Sequence, residues 1–336
     1  MGALATASDP RPADGSGFPD GGGAAISTQG LRVEFGDRVA VDDLSLSVPR
    51  GEVLGVLGPN GAGKTTAIRV LTTVLRPTRG TFSVAGVGDD RPREIRRRIG
   101  VLPESAGYPD HQTALEFLRY HGRLHGASSG EARAVAERLL REFGLDDRAR
   151  SLIGGFSRGM RQRLGIARAL VNDPEVVFLD EPTLGLDPGG QLQILDHIRS
   201  IARERGATVL LSTHLLAEVE EVCSRVLILD RGRVRAEGTV AEVTALVAAS
   251  RRLRLRVGSD ALGAADTALC GCPEVGTIEH DALRPGGLLV TLTGDPARGG
   301  AAVLSALDAA GIHVRSFEME RASLSDAFFA VTGGEG

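Results

Sequence analysis

A glycine-rich turn that closes on Gly-Lys-Thr has the composition needed to hold phosphate. Residues 58–66 read Gly58-Pro59-Asn60-Gly61-Ala62-Gly63-Lys64-Thr65-Thr66 and match the pattern G-x-x-x-x-G-K-[ST]. Glycine lets such a loop turn sharply and point several backbone N–H groups into one concavity. The helix that follows adds free N–H groups and the positive end of its dipole. Lys64 then reaches the β- and γ-phosphates of a nucleotide, and the Thr65 hydroxyl is a ligand for Mg²⁺. Lysine and arginine together number 39, yet Lys64 is the only lysine in the chain. A compact ammonium fits among phosphates where a planar guanidinium does not.

Other groups with chemistry close apolar runs. Glu175-Val176-Val177-Phe178-Leu179-Asp180-Glu181 reads as a buried strand that ends in two acids. Asp180 is placed to hold a Mg²⁺ shell and Glu181 to polarise an attacking water. Thr208-Val209-Leu210-Leu211-Ser212-Thr213-His214 ends in a histidine, expected to touch the γ-phosphate. Ile99–Leu102 is a third such run, and Glu104 beyond Pro103 points at the nucleotide if that strand neighbours the loop. Ser157 and Gly159 open a helix whose apolar face is Met160, Leu164, Ala167 and Val171. That start is either a second phosphate-binding terminus or an ordinary serine cap. Phe35 ends an alternating strand next to Gly36. It stacks on a nucleobase or joins the core, and spacing does not separate the two.

The elements that position these groups are legible from periodicity. Val53–Leu57 is a short strand before the loop, and Ala67–Leu71 belongs to the helix after it. Leu31–Phe35 and Leu44–Val48 alternate as strands of a small antiparallel sheet, and Thr81–Val84 is another strand. Thr113-Ala114-Leu115-Glu116 and Ser128-Ser129-Gly130-Glu131 are capping boxes, so 113–170 is a helical insert, with stops at Gly126 and Gly144. The arginines at 96–98 form a solvated face. Val226–Val234 reads as a hairpin. From residue 250 the order is β-α-β-β-α-β, with a strand at Ile312–Phe317 and a last helix at Leu324–Val331. No chemical motif falls there, so 250–336 is expected to be dispensable for nucleotide binding.

Composition sets the bounds. A chain of 336 residues has room for two domains, and 42% hydrophobic with 24% charged residues is ordinary for a globular protein. A net charge of −4 leaves no basic surplus to favour nucleic acid as a partner. Three cysteines make no disulfide framework and indicate a reducing compartment; Cys270-Gly271-Cys272 reads as a turn. No run reaches the ~18 apolar residues of a membrane span. Residues 1–25 are rich in Gly, Ala, Asp and Pro and read as a disordered tail. A cytoplasmic protein is expected, peripheral on the inner face of the cell membrane when a separate membrane subunit supplies the spans.

Over residues 26 to about 245 these motifs, in this order, resemble the ATP-binding subunit of an ABC transporter. The resemblance implies an α/β fold: a P-loop NTPase core with an antiparallel β subdomain and a helical insert, at 26–249. A small α+β domain of ferredoxin-like order follows at 250–336. In these terms Gly58–Thr65 is the Walker A loop, Val176–Asp180 the Walker B strand and Glu181 the catalytic carboxylate. Phe35 matches the adenine-stacking aromatic, Gly185-Leu186-Asp187 the D-loop and His214 the switch histidine. Phe156-Ser157-Arg158-Gly159-Met160 occupies the signature, where the family reads Leu-Ser-Gly-Gly-Gln. Ser157 and Gly159 are kept; Arg158 and Met160 are departures. Glu104 replaces the usual Q-loop glutamine, as in a subgroup of exporters, and joins Thr65 and Asp180 as a candidate Mg²⁺ ligand. Ala322–Gly333 resembles the tail of that subgroup, which includes daunorubicin-type resistance ATPases. ATP and Mg²⁺ are the implied cofactors. The implied partners are a membrane permease and a second copy of the chain, arranged head to tail around two ATPs. An importer ATPase or a non-transport member of the family would carry the same core motifs; the tail favours an exporter.

Overall fold

A computed structural model of the chain describes residues 23–246, 252–281, 284–319 and 323–333. The tail at 1–22 and the domain boundary at 249/250 lie outside the described residues. The described residues form three sheets.

The sheet that organises the molecule has six strands. β3 (Val53–Leu57), β6 (Ile99–Leu102), β7 (Val176–Asp180), β8 (Thr208–Ser212) and β9 (Arg225–Asp230) run parallel, and β10 (Arg233–Thr239) closes the edge antiparallel to β9. Their order is β10-β9-β3-β8-β7-β6. β3, β7 and β8 are buried along their whole length. Helices cover both faces of a parallel sheet, so its strands are apolar runs without polar alternation. Side chains still alternate between faces. Val177, Leu179, Val209 and Leu211 pack on one side with the helices α3 (Ala114–Leu124), α4 (Ser129–Glu142), α5 (Arg158–Ala169) and α6 (Pro188–Arg205). Val176, Phe178, Leu210 and Leu229 pack on the other with α1 (Lys64–Leu71) and the second sheet.

That second sheet is antiparallel, in the order β2-β1-β4-β5, from β1 (Ala24–Phe35), β2 (Arg38–Pro49), β4 (Arg79–Val84) and β5 (Val87–Gly88). Its β1 begins seven residues before the expected strand at Leu31, and two before Ile26, where the ordered region is expected to start. Ala25 is buried, and its carbonyl accepts the Ala85 N–H at 2.7 Å. α2 (Pro92–Arg98) then leads into β6, with its arginines in the last turn. The insert between β6 and β7 is helical as expected. Both capping boxes close: Thr113 with Glu116 on α3, and Ser128 with Glu131 on α4. α7 (Leu216–Val222) follows β8, and α8 (Val240–Ala245) follows the β9–β10 hairpin.

The third sheet is antiparallel, ordered β12-β13-β11-β14, from β11 (Arg252–Arg256), β12 (Val275–His280), β13 (Gly287–Leu292) and β14 (Ser316–Met319). With α9 (Leu262–Cys270) and α10 (Pro296–Ala309) it completes the expected β-α-β-β-α-β order around a separate core of Leu253, Leu255, Leu288, Val290, Val303 and Leu307. The strand expected at Ile312–Phe317 starts only at Ser316. Gly311 takes a positive φ, and the Ile312 N–H donates to Leu307 O at 2.9 Å, which caps α10 and turns Ile312 into the core. α11 (Leu324–Thr332) leaves this unit altogether. Leu324 and Ala327 are buried with Leu57, Val219, Ile228, Ala236 and Val243, against the large sheet.

Candidate functional site

A parallel sheet delivers every strand's carboxyl end to one edge, and ligands of open α/β sheets bind there. Here β3 runs into the glycine loop, β7 ends at Asp180-Glu181, β8 leads to His214 and β6 to Glu104. The sequence scatters these residues over more than a hundred positions, and the parallel register gathers them.

The loop is held by close packing. Gly63 has φ 107°, and a Cβ there would meet the Ala40 carbonyl oxygen at 2.4 Å. The Ala62 N–H donates to Pro59 O at 3.1 Å, and the Gly232 N–H of the β9–β10 turn donates to Ala62 O at 2.9 Å. Lys64 is 7% exposed and curls onto its own loop, donating to Gly58 O at 2.6 Å. Burial pulls its pKa down, while Glu181, Asp180 and Glu104 pull it back up. A phosphate taking the place of these loop carbonyls would meet a partly desolvated ammonium, where charge attraction is stronger than in water.

Asp180 is 2% exposed and accepts hydrogen bonds from Ser212 Oγ and, at 3.4 Å, from Thr65 Oγ1. Glu181 has a positive φ of 50°, an uncommon conformation for a non-glycine residue, and strain of this kind concentrates at functional positions. Its N–H donates to Ser212 O at 2.9 Å, which ties the turn to β8. Its Oε2 lies 2.8 Å from His214 Nδ1. Burial pushes the Glu181 carboxyl above its usual range, and the His214 hydrogen bond and charge oppose that shift. The pair leaves the other edge of the imidazole for the cleft.

Gly58 to Thr66, Glu104, Glu181 and His214 line a cleft of about 1510 Å³, with Asp180 buried behind Thr65. Phe35 stands on its rim at 51% exposure, so this ring is not part of the core. Three candidates lie elsewhere. Ser157, Gly159 and Asp187 line a second, smaller cleft, which also holds Gly185. Ser157 caps α5, accepting the Met160 N–H at 3.2 Å, so the cap reading of this serine holds. The Arg158 guanidinium lies against Gly185, where a Cβ would come within 2.5 Å of it.

Sequence reasoning missed several residues of the large cleft. Arg38, Asp230, Arg231 and Arg235 enter it from the strands beside the loop, and residues 328–333 enter it from α11. The hairpin signal at 226–234 located Asp230 and Arg231 without hinting at their use. Nothing in the sequence announced residues 328–333, which belong to the region 250–336.

The sequence pattern of the ABC transporter family matches residues 41–184. The daunorubicin/doxorubicin resistance ATP-binding protein DrrA of Streptomyces peucetius is 41% identical over 310 residues, 92% of each chain. A match of that length necessarily reaches into the third sheet. The Nod factor export ATP-binding protein I of Burkholderia lata is 41% identical over 216 residues, 64% of this chain and 71% of that one. Among solved structures, an ATP binding subunit of an ABC transporter superimposes with a TM-score of 0.60 at 34% identity, covering 66% of this chain and 92% of that one. The ATP-binding cassette MJ0796, dimeric in a post-hydrolysis state with ADP and Pi, gives 0.59 at 26% identity, over 64% of this chain and 98% of that one. Related over nearly its whole length to such proteins, and gathering the phosphate loop, acid and histidine at one sheet edge, the chain belongs to the ATP-binding family of ABC transporters and is an ATPase.

Proposed function

We propose that the chain energises export of a drug, antibiotic or other hydrophobic compound through a separate membrane permease, and that it works as a head-to-tail pair. The observation that carries the pairing is the division of the candidate residues between two clefts. One chain offers the phosphate loop with Glu181 and His214. The Ser157 loop and Asp187 face a different opening. A second copy brings its Ser157 loop to the first copy's nucleotide, and both sites are completed at once. Phe35, Gly58, Pro59, Asn60, Gly61, Ala62, Gly63, Lys64, Thr65 and Thr66 bind the nucleotide in this reading, and Ser157, Gly159 and Asp187 reach it from the partner copy.

Hard oxygen donors suit Mg²⁺. The Thr65 hydroxyl and the Asp180 carboxylate already lie together, and Glu104 lines the same cleft. When bound, the ion neutralises charge on the β- and γ-phosphates. Glu181 orients the attacking water and accepts its proton, and His214 holds that carboxylate in place.

No helix among the described residues is long and apolar enough to cross a membrane; in this reading the permease supplies the spans and the chain sits peripherally on the inner face. The relatives' names support export. We assign 26–249 as the nucleotide-binding domain and 250–336 as an accessory domain whose last helix docks back on the first. Co-expression with a candidate permease and preparation of inside-out vesicles tests the transport reading. ATP-dependent accumulation of daunorubicin, as the probe, is expected and should vanish with Glu181→Gln. ATP-driven loss of probe from the vesicles would overturn the direction.

A further inference from the structure

The cleft around Lys64 is larger than the ~300–1,000 Å³ usual for a small-molecule site, and one of its walls comes from the far end of the chain. α11 is pinned where it lies. Ser323 and Asp326 close a capping box at its start, the Leu324 N–H donates to Glu220 Oε1 at 2.8 Å, and Leu324 and Ala327 are fully buried. The half-turns beyond, Phe328 to Gly333, line the same cleft as the phosphate loop. Phe329 is 54% exposed there, close to the 51% of Phe35 on the same cleft. The Phe328 ring meets it edge-on at 5.7 Å and restrains it. A large exposed aromatic on a fixed helix, in a cleft lined by both charged and apolar side chains, offers an apolar face to whatever enters.

We propose that Phe329 contacts the base of the bound nucleotide, so that the C-terminal helix supplies a second aromatic surface to the base subsite. The phosphates have their partners in Lys64 and the loop N–H groups, and an aromatic ring gains nothing from a phosphate. The base is the part of the nucleotide with a π face, and stacking is its natural contact with Phe. This extends the nucleotide site across the boundary at 250. It also places one wall on a helix packed against α7, the helix that follows His214.

The test is titration of the purified full-length chain with Mg·ATP and, separately, with magnesium inorganic triphosphate, which shares the phosphates and lacks the base. Phe329→Ala should weaken ATP binding about five- to tenfold and leave triphosphate binding unchanged, and Phe329→Tyr should restore ATP affinity. Phe329 is half exposed, so truncation is not expected to disturb folding, and an unchanged thermal midpoint checks this. Unaltered ATP affinity in Phe329→Ala overturns the proposal. So does an equal loss for ATP and triphosphate, which would mean a general disturbance of the cleft. The measurement needs neither a permease nor a dimer, so it stands or falls apart from the transport reading.

Discussion

In the phosphate-loop cleft the key polar groups are already held by the chain's own atoms: Lys64 by Gly58 O, Asp180 by Ser212, Glu181 by His214. In the cleft around Ser157 the corresponding groups differ among themselves. The Ser157 hydroxyl caps its helix, the Asp187 side chain makes no cap bond, and Arg158 lies over Gly185. The first cleft is preorganised for one chemistry, which is where electrostatic catalysis draws its strength. The second is a separate, smaller opening lined by Ser157, Gly159 and Asp187. On the proposed pairing, one chain holds the phosphate loop, acid and histidine, and a second copy would bring its Ser157 loop to them.

The sharpest way to break this comparison is Glu181→Gln. A positioned base contributes roughly 10²–10⁴-fold, so turnover should fall by that factor with Mg·ATP binding intact. Size-exclusion chromatography with Mg·ATP should then show a trapped dimer. Near-normal turnover would remove Glu181 from its role, and a slow variant that stays monomeric would undercut the pairing. Gly63→Ala attacks the same cleft through its backbone. A left-handed conformation costs a side-chain-bearing residue about 1–2 kcal/mol, and the Ala40 carbonyl stands in the way of the new Cβ. ATP affinity should drop about tenfold or more, read by equilibrium titration.

Ser157→Ala sharpens the contrast, because it should leave ATP affinity of the isolated chain unchanged while ATP-induced dimerisation weakens. The lost cap should also cost ~1 kcal/mol of stability, visible as a lower urea midpoint. Equal ATP affinity and equal dimerisation in this variant would deny the second cleft its part. The smallest effect is one of pH. Glu181 acts as a base only when ionised, so its raised pKa puts the acid limb of the ATPase profile above that of an ordinary carboxylate. His214 stabilises the ionised form. His214→Ala removes that support, raises the carboxyl pKa further and should move the acid limb of the residual activity to higher pH. A limb that stays in place would show that the 2.8 Å contact does not tune the base.

The chemistry-bearing residues and most strands around them are legible along the chain, because the signals are local. A loop that turns on glycine, an apolar run ending in acids and a capping box each occupy fewer than ten consecutive residues. The buried strands β3, β7 and β8 show as continuous apolar runs for the same reason. Spacing left Phe35 open between base and core, since an aromatic beside a glycine has the same pattern in both cases; its exposure on the cleft rim removes the core reading. The parting of Ser157 and Asp187 from Lys64 is implied by the head-to-tail arrangement of the family resemblance but not by the motifs themselves, because a motif specifies a local conformation and not which side of the sheet edge it will face. The placement of α11 is the clearest case. Its sequence marks a capped helix with an apolar face, but an apolar face does not name its partner. Burial is non-directional and rewards any apolar surface of matching shape. That Leu324 and Ala327 meet Val219 and Val243, carrying Phe329 to the nucleotide cleft, is decided only by the packing of elements about a hundred residues apart.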